Sequence, residues 1–384
     1  MRPHVVLFSP FFRPLESGAE LFARKVVEHL EGLVTFSVVT LRVERSWPAE
    51  EDLGPHARLY RVGPGRGVGG KYAYPWWALR QARQLPPAAL VHGVLETFAG
   101  YPTWRLKHSR RVPSILTLQL GRDLSDLLRR TWWAYPVVRR VYTSADRVTV
   151  PSAFIAGHAS AMGVDPARVR FVPNSVDPTL FSPRGGSPAA RQATRARLQL
   201  PPAAFVVISV SRLERKNGVD LLVEALADPR LRDVFLLLCG TGSLDASLRS
   251  RLAENGGLER VRFVGYLPQE ELPALLAASD AFVRASRTEG LGSAFLEAMA
   301  MGLPTVGTTV GGIPEFLTTQ TGFPIPPERP TAIADALVEI RHLSSEARRA
   351  RTDAARALVA ASYIWSRSMD RMRAVYEELL GPLG

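Results

Sequence analysis

The sequence predicts an α/β protein made of two doubly wound domains that face each other across a cleft. Short β-branched runs alternate with helical patterns in the first half, and a second series of the same kind begins near residue 205. Such alternation is typical of βαβ units and a parallel sheet. Residues 183–202, which are rich in Pro and Gly, separate the two series. Because doubly wound sheets bind ligands at the carboxyl ends of their strands, we expect the functional site in the cleft.

The predicted elements follow from local patterns in chain order. In the first half, short apolar runs predict strands at 5–8, 34–40, 59–62, 88–92, 114–118 and 147–150. Apolar residues at helical spacing predict helices at 20–30, 76–84, 124–142 and 153–162. In the second half, the same criteria predict strands at 205–210, 234–239, 261–264, 281–283 and 305–306. They predict helices at 219–226, 244–255, 269–277 and 294–301, with only helical pattern after residue 330.

The composition excludes several classes of protein. The 384 residues are 46% hydrophobic and 22% charged, a globular mixture that excludes a disordered, collagenous or disulfide-stapled chain. The single cysteine, Cys239, excludes an intrachain disulfide and a cysteine-clustered zinc site. The apolar run at 234–239 is too short for a membrane-spanning helix, and the run at 5–8 is too short for a signal peptide. We therefore expect a soluble, cytoplasmic protein.

Positive charge is concentrated in the first half of the chain. Residues 1–180 hold 24 Lys and Arg against 14 Asp and Glu, whereas residues 181–384 hold 24 against 22. This asymmetry indicates an anionic partner for the first half, such as nucleic acid, a membrane surface or an acidic substrate. The alternative is solvated surface charge in an arginine-rich protein.

The densest functional signal is RTEGLGSAFLEAMAMGLP, at residues 287–304. A predicted strand ends shortly before Glu289, a glycine turn follows, and a helix begins near Ser293. The free N–H groups of a helix N-terminus bind phosphate, and glycines let an anion approach the backbone. Glu289 and Glu297 can then face one pocket in different roles. The alternative is that they are an ordinary loop glutamate and an ordinary helical glutamate.

This stretch resembles the E-x7-E motif of the family-4 glycosyltransferases, which are retaining enzymes of GT-B fold. The run EAMAMGLPTVGTTVGGIPE, at 297–315, is similar to the same family's EAMA-x-G-x-P-V-V…GG-x-x-E run. Further similar motifs occur in the family's order, and they are SGAE at 17–20, VPNSVD at 172–177, SRLERKNGVD at 211–220, GTG at 240–242 and RFVGYL at 262–267.

The resemblance implies a domain organisation and an activity. A Rossmann-like acceptor domain at 1–182 would be joined by a linker at 183–202 to a nucleotide-sugar-binding domain at 203–364. The segment at about 365–384 resembles the family's final helix, which returns to the first domain. The implied reaction moves a sugar, with retention, from a nucleoside-diphosphate sugar to a hydroxyl of a glycan or lipid-linked acceptor. The donor is a substrate, so no cofactor is expected.

The resemblance also implies roles for individual residues. Arg212 and Lys216 would hold the diphosphate, which an arginine fork and a lysine point charge suit chemically. Gly18 would approach the same phosphates from the first domain. Glu297 would bind the ribose hydroxyls, and Glu289, a candidate catalytic residue, would bind the donor sugar. The implied donor site is completed by Gly240, Gly242 and Leu267, and by the backbone amides of Leu291, Gly292 and Ser293.

Three positions depart from the family's pattern. The lysine usually lies five residues after the arginine, where this chain has Asn217, so Lys216 takes that role one residue earlier. Ser17 stands where a glycine is usual. Gln119, the second candidate catalytic residue, replaces a histidine that many relatives carry, and a glutamine cannot carry a proton at neutral pH. His92, at the end of a predicted strand, is expected to be structural or acceptor-facing.

No metal and no dinucleotide are expected. The chain has no D-x-D pair, and the acidic cluster at 50–52 is predicted to be a solvated loop. The resemblance implies that Arg, Lys and helix N-termini neutralise the nucleotide, so no metal is needed. For retention without an obvious nucleophile, it also implies a front-face mechanism in which the leaving diphosphate helps to deprotonate the acceptor hydroxyl. GRGVGG at 65–70 matches G-x-G-x-x-G, but KYAYPWW follows it instead of a helix with small residues. We predict a glycine-rich loop near the acceptor cleft there.

Residues 124–142 predict an amphipathic helix. Its apolar stripe includes Trp132, with Trp133 beside it, and its other faces carry Arg129, Arg130, Arg139 and Arg140. Basic residues and tryptophans on such a helix are typical of membrane-surface binding, here at the inner membrane face. A helix whose stripe packs on the sheet fits the pattern equally well.

Three other functions stay open. A sugar-nucleotide-binding subunit without catalysis is favoured by Gln119 and by the displaced Lys216. A GT-B sugar-nucleotide epimerase shares the fold but not these motifs. Nucleic-acid binding through the basic first half lacks a recognisable module, so we expect no nucleic-acid partner.

Overall fold

The computed structural model describes residues 2–15, 18–121, 124–183 and 187–384. The chain divides into two compact units, the first made of residues 1–174 and 365–384 and the second of residues 175–364. Each unit contains one sheet with helices, which confirms the prediction of two doubly wound α/β domains. Ser17 and residues 184–186 of the predicted linker lie outside the described residues.

The sheet of the first unit has the strand order β3-β4-β2-β1-β5-β6-β7-β8. All neighbours pair in parallel except β3 and β4. The strands are β1 (His4–Phe8), β2 (Thr35–Leu41), β3 (Glu50–Gly54), β4 (Ala57–Val62), β5 (Leu90–Val94), β6 (Ser114–Thr117), β7 (Arg147–Val150) and β8 (Val169–Phe171). The helices are α1 (Gly18–Leu30), α2 (Tyr74–Ala82), α3 (Glu96–Arg110), α4 (Leu124–Thr131), α5 (Tyr135–Ser144), α6 (Ala153–Ala161) and α14 (Trp365–Leu380).

Two predictions for the first unit were wrong. The acidic cluster at 50–52 is not a loop but part of the edge strand β3, which pairs antiparallel with β4. Glu51 also forms ion pairs with Arg61 and, at 2.6 Å, with Arg13. The helix predicted at 124–142 is two helices separated by the 3-10 turn Trp132–Ala134. A proline in the first turn of α5 starts the new helix there.

The sheet of the second unit is wholly parallel, with the order β11-β10-β9-β12-β13-β14. The strands are β9 (Phe205–Val210), β10 (Val234–Cys239), β11 (Val261–Gly265), β12 (Ala281–Arg284), β13 (Thr305–Thr308) and β14 (Phe323–Ile325). The helices are α7 (Pro188–Arg197), α8 (Val219–Ala225), α9 (Asp245–Glu254), α10 (Leu272–Ala278), α11 (Ser293–Ala300), α12 (Pro330–His342) and α13 (Ser345–Ser362). In sequence rank this order reads 3-2-1-4-5-6, the order of dinucleotide-binding sheets.

The segment expected to be a linker, 183–202, contains α7, which packs against α10. Arg195 is 5% exposed, and its guanidinium donates a hydrogen bond to Asp280 at 2.7 Å. Arg191 pairs with the other oxygen of the same carboxylate at 2.6 Å. These ion pairs make α7 part of the second unit, and the boundary between the units lies after Asn174 instead of after residue 182.

Helix α14 belongs to the first unit although it comes last in sequence. It packs against α1, where the rings of Trp365 and Phe22 lie 6.3 Å apart. Its apolar face joins the core of that unit through Met369, Met372 and other buried residues. Within the described residues, no helix of either unit is long and apolar enough to cross a membrane.

Candidate functional site

Strand order in the second unit reverses between β9 and β12, which are parallel neighbours. In doubly wound sheets, ligands bind at such a point, outside the carboxyl ends of the strands. The loop after β9 carries Arg212 and Lys216, and the loop after β12 carries Glu289. The topology therefore brings three of the residues predicted from the sequence to one edge of one sheet.

Glu289 is buried, with 9% of its surface exposed. Its Oε1 accepts a hydrogen bond from the Gly290 N–H at 3.2 Å, and its Oε2 forms an ion pair with the guanidinium of Arg284. Its backbone carbonyl accepts a hydrogen bond from the Gly312 N–H at 3.1 Å. A Cβ at Gly311, where φ is +59°, would lie 1.9 Å from that carbonyl oxygen. Both the carboxylate and the backbone of Glu289 are therefore held in place.

Asn217 links the two loops. Its Nδ2 donates a hydrogen bond to the backbone carbonyl of Arg212 at 2.6 Å, and its Oδ1 accepts one from Nη2 of Arg284 at 2.9 Å. Only 2% of its surface is exposed. Asn217 therefore connects the loop of Arg212 to Arg284, which pairs with Glu289. The place where the family most often has a lysine thus holds a neutral side chain whose amide is already engaged.

Lys216, the lysine chosen from the sequence, is half-buried. Its backbone carbonyl accepts a hydrogen bond from the Arg287 N–H at 2.8 Å. The Arg287 guanidinium grips both carboxylate oxygens of Asp220, at 2.7 and 2.9 Å. Burial would raise the pKa of Asp220, but the hydrogen bonds and charge of Arg287 outweigh it and lower that pKa. These contacts fix the backbone on which Lys216 stands.

Arg212 is exposed, and within the part of the chain that the structure describes its side chain makes no hydrogen bond. The loop that carries it lies against the GTG turn after β10. A Cβ at Gly240 would lie 2.0 Å from the carbonyl oxygen of Ser211, and one at Gly242 would lie 2.3 Å from that of Leu213. Gly240 and Gly242 therefore let the Arg212 loop approach, and they act through the backbone.

Glu297 lies in α11 and is 6% exposed. Its Oε1 accepts a hydrogen bond from Nε2 of Gln269 at 2.9 Å. Burial raises the pKa of Glu297 to about 7, against the opposing effects of the Gln269 hydrogen bond and the charge of Arg284. Leu267, half-buried after β11, packs against the same core as α11. Gln269 was not predicted; its only signal is its position two residues after Leu267.

The N-terminus of α11 is open. Gly292 precedes the helix with φ +92°, and no side chain in the described part of the chain caps it. Ser293, the first helical residue, is half-buried, whereas the Leu291 side chain is 3% exposed. The Phe295 N–H of the first turn donates to the Gly292 carbonyl at 3.0 Å, so the N–H groups of Leu291, Gly292 and Ser293 are the ones that could face an anion.

The first unit holds Gln119 in a network of its own. Its side-chain amide exchanges two hydrogen bonds with that of Asn174, at 2.9 and 3.0 Å. Its backbone N–H donates to the carboxylate of Glu96 at 2.9 Å. Burial raises the pKa of Glu96 to about 6, although hydrogen bonds from the Gln119 and Leu120 amides and from Tyr142 oppose the rise. Gln119 is thus engaged by neighbours through both its side chain and its backbone.

His92 is fully buried in a polar chain within the first unit. Its Nδ1 is hydrogen-bonded to the Tyr376 hydroxyl at 2.8 Å, and its Nε2 to the Thr117 hydroxyl at 2.7 Å. Burial lowers the pKa of His92 to about 3, so the ring is neutral at physiological pH. The residue ties α14 to the sheet. Gly18, the first residue of α1, is half-buried in the same unit.

Comparison with known proteins identifies the family of the chain. A model described as "Glycosyl transferase 4-like domain" matches residues 17–175, and one described as "Glycosyl transferases group 1" matches residues 190–357. The chain belongs to the family-4 glycosyltransferases. Their two models fall on the two units in turn, so the resemblance read from the motifs and the prediction of an enzyme of this family are confirmed.

Two curated relatives of this glycosyltransferase are mannosyltransferases. The GDP-mannose-dependent monoacylated alpha-(1-6)-phosphatidylinositol monomannoside mannosyltransferase of Corynebacterium glutamicum is 32% identical over 246 residues, 61% of this chain and 63% of that protein. The GDP-mannose-dependent alpha-(1-6)-phosphatidylinositol monomannoside mannosyltransferase of Mycobacterium tuberculosis is 35% identical over 218 residues, 54% of this chain and 55% of that protein. The matches thus span less than two thirds of either relative.

The fold likeness covers nearly all of this glycosyltransferase chain. Sucrose-phosphate synthase from Thermosynechococcus elongatus superposes with a TM-score of 0.85 at 23% identity, over 98% of this chain and 99% of that one. This confirms the GT-B fold that the motif resemblance implied.

Proposed function

We propose that this chain transfers a sugar, with retention and without a metal, from a nucleoside-diphosphate sugar to a hydroxyl of a glycan or lipid-linked acceptor. The observation that carries the proposal is the linked set at the edge of the second sheet, in which Arg212, Asn217, Arg284 and Glu289 are connected by hydrogen bonds and an ion pair. The donor class is supported by the names of the relatives, which are GDP-mannose-dependent.

The proposed donor pose follows from the charges of this edge. The diphosphate lies against the exposed guanidinium of Arg212 and the amine of Lys216, with the N–H groups of Leu291, Gly292 and Ser293 as further donors. These cations and dipoles neutralise the diphosphate, which is why we propose metal independence. The ribose hydroxyls donate to the carboxylate of Glu297, and the sugar lies at Glu289.

The proposed chemistry requires no protein nucleophile. As the bond from the anomeric carbon to the diphosphate breaks, negative charge grows on the phosphate oxygens beside Arg212 and the first turn of α11, which stabilise it. A leaving phosphate oxygen takes the acceptor's proton on the same face, which gives retention. Gln119 cannot carry that proton. Since its amide is paired with Asn174, we propose that it holds the loop and the Asn174 segment together instead of acting as a base.

The proposal is tested with purified protein and GDP-mannose, UDP-glucose and ADP-glucose. A donor present at 100 times its dissociation constant stabilises the protein by about 2.7 kcal/mol, so a thermal-shift screen reveals which one binds. The bound donor, without acceptor, is expected to release free sugar slowly and nucleoside diphosphate in equal amount. A binding subunit without catalysis would show the thermal shift and no release. An epimerase would return a different nucleotide sugar with its glycosidic bond intact.

Donor affinity is expected to increase with pH. Burial raises the pKa of Glu297 to about 7, so its carboxyl is mainly protonated at pH 6 and mainly ionised at pH 8. Because only the ionised form accepts hydrogen bonds from two ribose hydroxyls, the dissociation constant of the nucleotide sugar should fall about tenfold over that range. Calorimetry at several pH values measures it, and E297Q should show no such dependence. A wild-type affinity that is constant over this range would contradict the ribose role.

The first unit carries an exposed aromatic and basic surface. Trp132 and Trp133 in the turn between α4 and α5 are 75% and 74% exposed, so they do not pack on the sheet. Arg129, Arg139 and Arg140 are exposed nearby in sequence, whereas the Arg130 side chain lies outside the described part. We propose that this surface contacts an anionic membrane where a lipid-linked acceptor is glycosylated. The relatives' names, which include phosphatidylinositol mannosides, support a lipid acceptor.

Changing this surface should abolish membrane binding. The wild type should sediment with phosphatidylglycerol vesicles. A variant with Trp132→Ser, Trp133→Ser, Arg139→Glu and Arg140→Glu should stay in the supernatant. It loses both the aromatic anchors and the attraction to anionic lipid. R232E/R349E, which changes two exposed arginines of the second unit, is the control and should sediment normally. If the first variant sedimented like the wild type, the proposed membrane contact would be contradicted.

A further inference from the structure

Arg284 is the last residue of β12, a strand otherwise made of buried apolar residues. Only 9% of its surface is exposed. A buried guanidinium is costly unless it is paired, because its charge has left water. No motif assigned this residue a role. It ends the strand β12, and the loop that follows carries Glu289, which the motifs did assign.

The partners of Arg284 are functional candidates. Its Nη2 donates to Oδ1 of Asn217 at 2.9 Å and to the carboxylate of Glu289, whose side chain is only 11% exposed. Its guanidinium lies 5.8 Å from the ring centre of Phe295, in the helix that follows Glu289. One cation therefore joins the loop after β9, through Asn217, to the loop after β12.

The charge of Arg284 also reaches Glu297. Burial raises the pKa of Glu297, and the charge of Arg284 is among the effects that oppose the rise. A single buried cation thus acts on both acidic residues of the 289–297 motif, directly on Glu289 and at longer range on Glu297. Without it, the buried Glu289 would keep only the Gly290 N–H of its two side-chain hydrogen bonds described above.

Asn217 gives Arg284 a neutral partner. The motif pattern puts a lysine at this position, and here a neutral amide accepts a hydrogen bond from Arg284 instead. The buried cation at this point is therefore Arg284 on β12, the strand that pairs with β9. Both contacts are made by Nη2 of Arg284, whose two N–H groups can bind the carboxylate and the amide oxygen together.

We propose that Arg284 is a positioning residue that holds Glu289 as an oriented carboxylate and is the buried cation beside the neutral Asn217. The inference rests on the proposed function, since it assigns Glu289 to the donor sugar. It adds a residue on another strand as the support of that carboxylate. A role for Arg284 in stability alone is the competing account.

The test compares R284L, R284K and the double variant N217K/R284L. R284L should lower kcat by about 100-fold, the cost of misplacing a reacting group by about 1 Å, and should change the donor dissociation constant less than threefold. R284K keeps the charge, but its ammonium group sits on a different side-chain stem from that of Nη2, so it should fall between R284L and wild type. N217K/R284L returns a cation to the corner from the other loop and should recover at least tenfold of the lost kcat.

Arg195 supplies a matched control, because it is also a buried arginine paired with a carboxylate, Asp280, but belongs to α7. R195L should lower the melting temperature with kcat retained in the folded fraction. If R284L keeps wild-type kcat, the proposal fails. It also fails if R284L loses kcat only in step with its melting temperature, as R195L does, and N217K brings no recovery.

Crystal structures separate this inference from the proposed function. In R284L the Glu289 carboxylate should leave its hydrogen bond to Gly290, and in N217K/R284L it should return. An unmoved Glu289 in R284L overturns the positioning role whether or not any donor is turned over. A wild type that is inactive with every donor, together with a displaced Glu289 in R284L, would overturn the proposed function and leave the positioning role of Arg284 supported.

Discussion

Replacing Glu289 by glutamine is expected to lower kcat at least about 100-fold while the nucleoside diphosphate still binds, since losing one preorganised polar group of an active site costs this much. Glu289 faces no cation except Arg284 among the contacts the structure describes for it. Its proposed partners are the hydroxyls of the sugar, which the diphosphate alone lacks. An interaction made with the reacting sugar lowers kcat when removed, whereas one made with the nucleotide lowers affinity.

Glutamine is preferred to alanine for this measurement. Glutamine keeps an oxygen that can accept the hydrogen bond of Arg284, whereas alanine leaves this buried guanidinium without any acceptor at position 289. Removing one partner of a buried ion pair costs about 3–5 kcal/mol of stability, so the alanine variant would mix a loss of folding with a loss of activity. Steady-state kinetics give kcat, and calorimetry with the nucleoside diphosphate gives the affinity. E254Q, at an exposed glutamate of α9, is the control and should behave as wild type. Full activity in E289Q would refute the role carried over from the family.

Replacing Arg212 by alanine should produce the opposite pattern, a weakened donor with kcat nearly preserved at saturation. Hydrogen bonds to charged groups contribute about 1.5–3 kcal/mol, so the dissociation constant of the nucleoside diphosphate should rise about 10- to 150-fold. The effect should shrink at high salt, because the Arg212 side chain is exposed and its charge is screened.

Arg215 provides the comparison for Arg212. It is an exposed arginine on the same loop, and its backbone carbonyl accepts hydrogen bonds from the Arg287 guanidinium and the Gly218 N–H. R215A should change the affinity less than threefold, whereas R212K should lie between wild type and R212A. An unchanged affinity in R212A would mean that the diphosphate is held elsewhere, and the pose proposed for the second unit would have to be abandoned.

The fold was predictable where the pattern was strong. The five strands predicted in the second half overlap β9 to β13, because buried parallel strands are continuous apolar runs that local composition reveals. Strand β3 was missed because it is acidic and lies at the edge of its sheet. Its place depends on Arg61, which comes from another strand. The basic helical pattern within 183–202 was visible in the sequence, but its packing into the second unit was not, because its arginines pair with Asp280 far away in sequence.

Some residues of the candidate site could be predicted from the sequence, and others could be found only in the structure. Arg212, Glu289 and Glu297 stand in motifs with fixed spacing, so they were found from the sequence. Arg284 and Gln269 act through partners that become neighbours only after folding. Arg284 did leave a signal, a charged residue at the end of an apolar strand, and that pattern gains meaning only when its neighbour across the sheet is known.

The return of α14 to the first unit has a consequence for how the protein can be divided. The chain passes between the units twice, after residue 174 and after residue 364, so no single cut yields two complete halves. In a fragment that ends at residue 364, His92 would lose its hydrogen bond to Tyr376. The apolar surface that Met369 and Met372 cover would be exposed to solvent. A separate version of the first unit therefore needs residues 365–384 fused directly after residue 174.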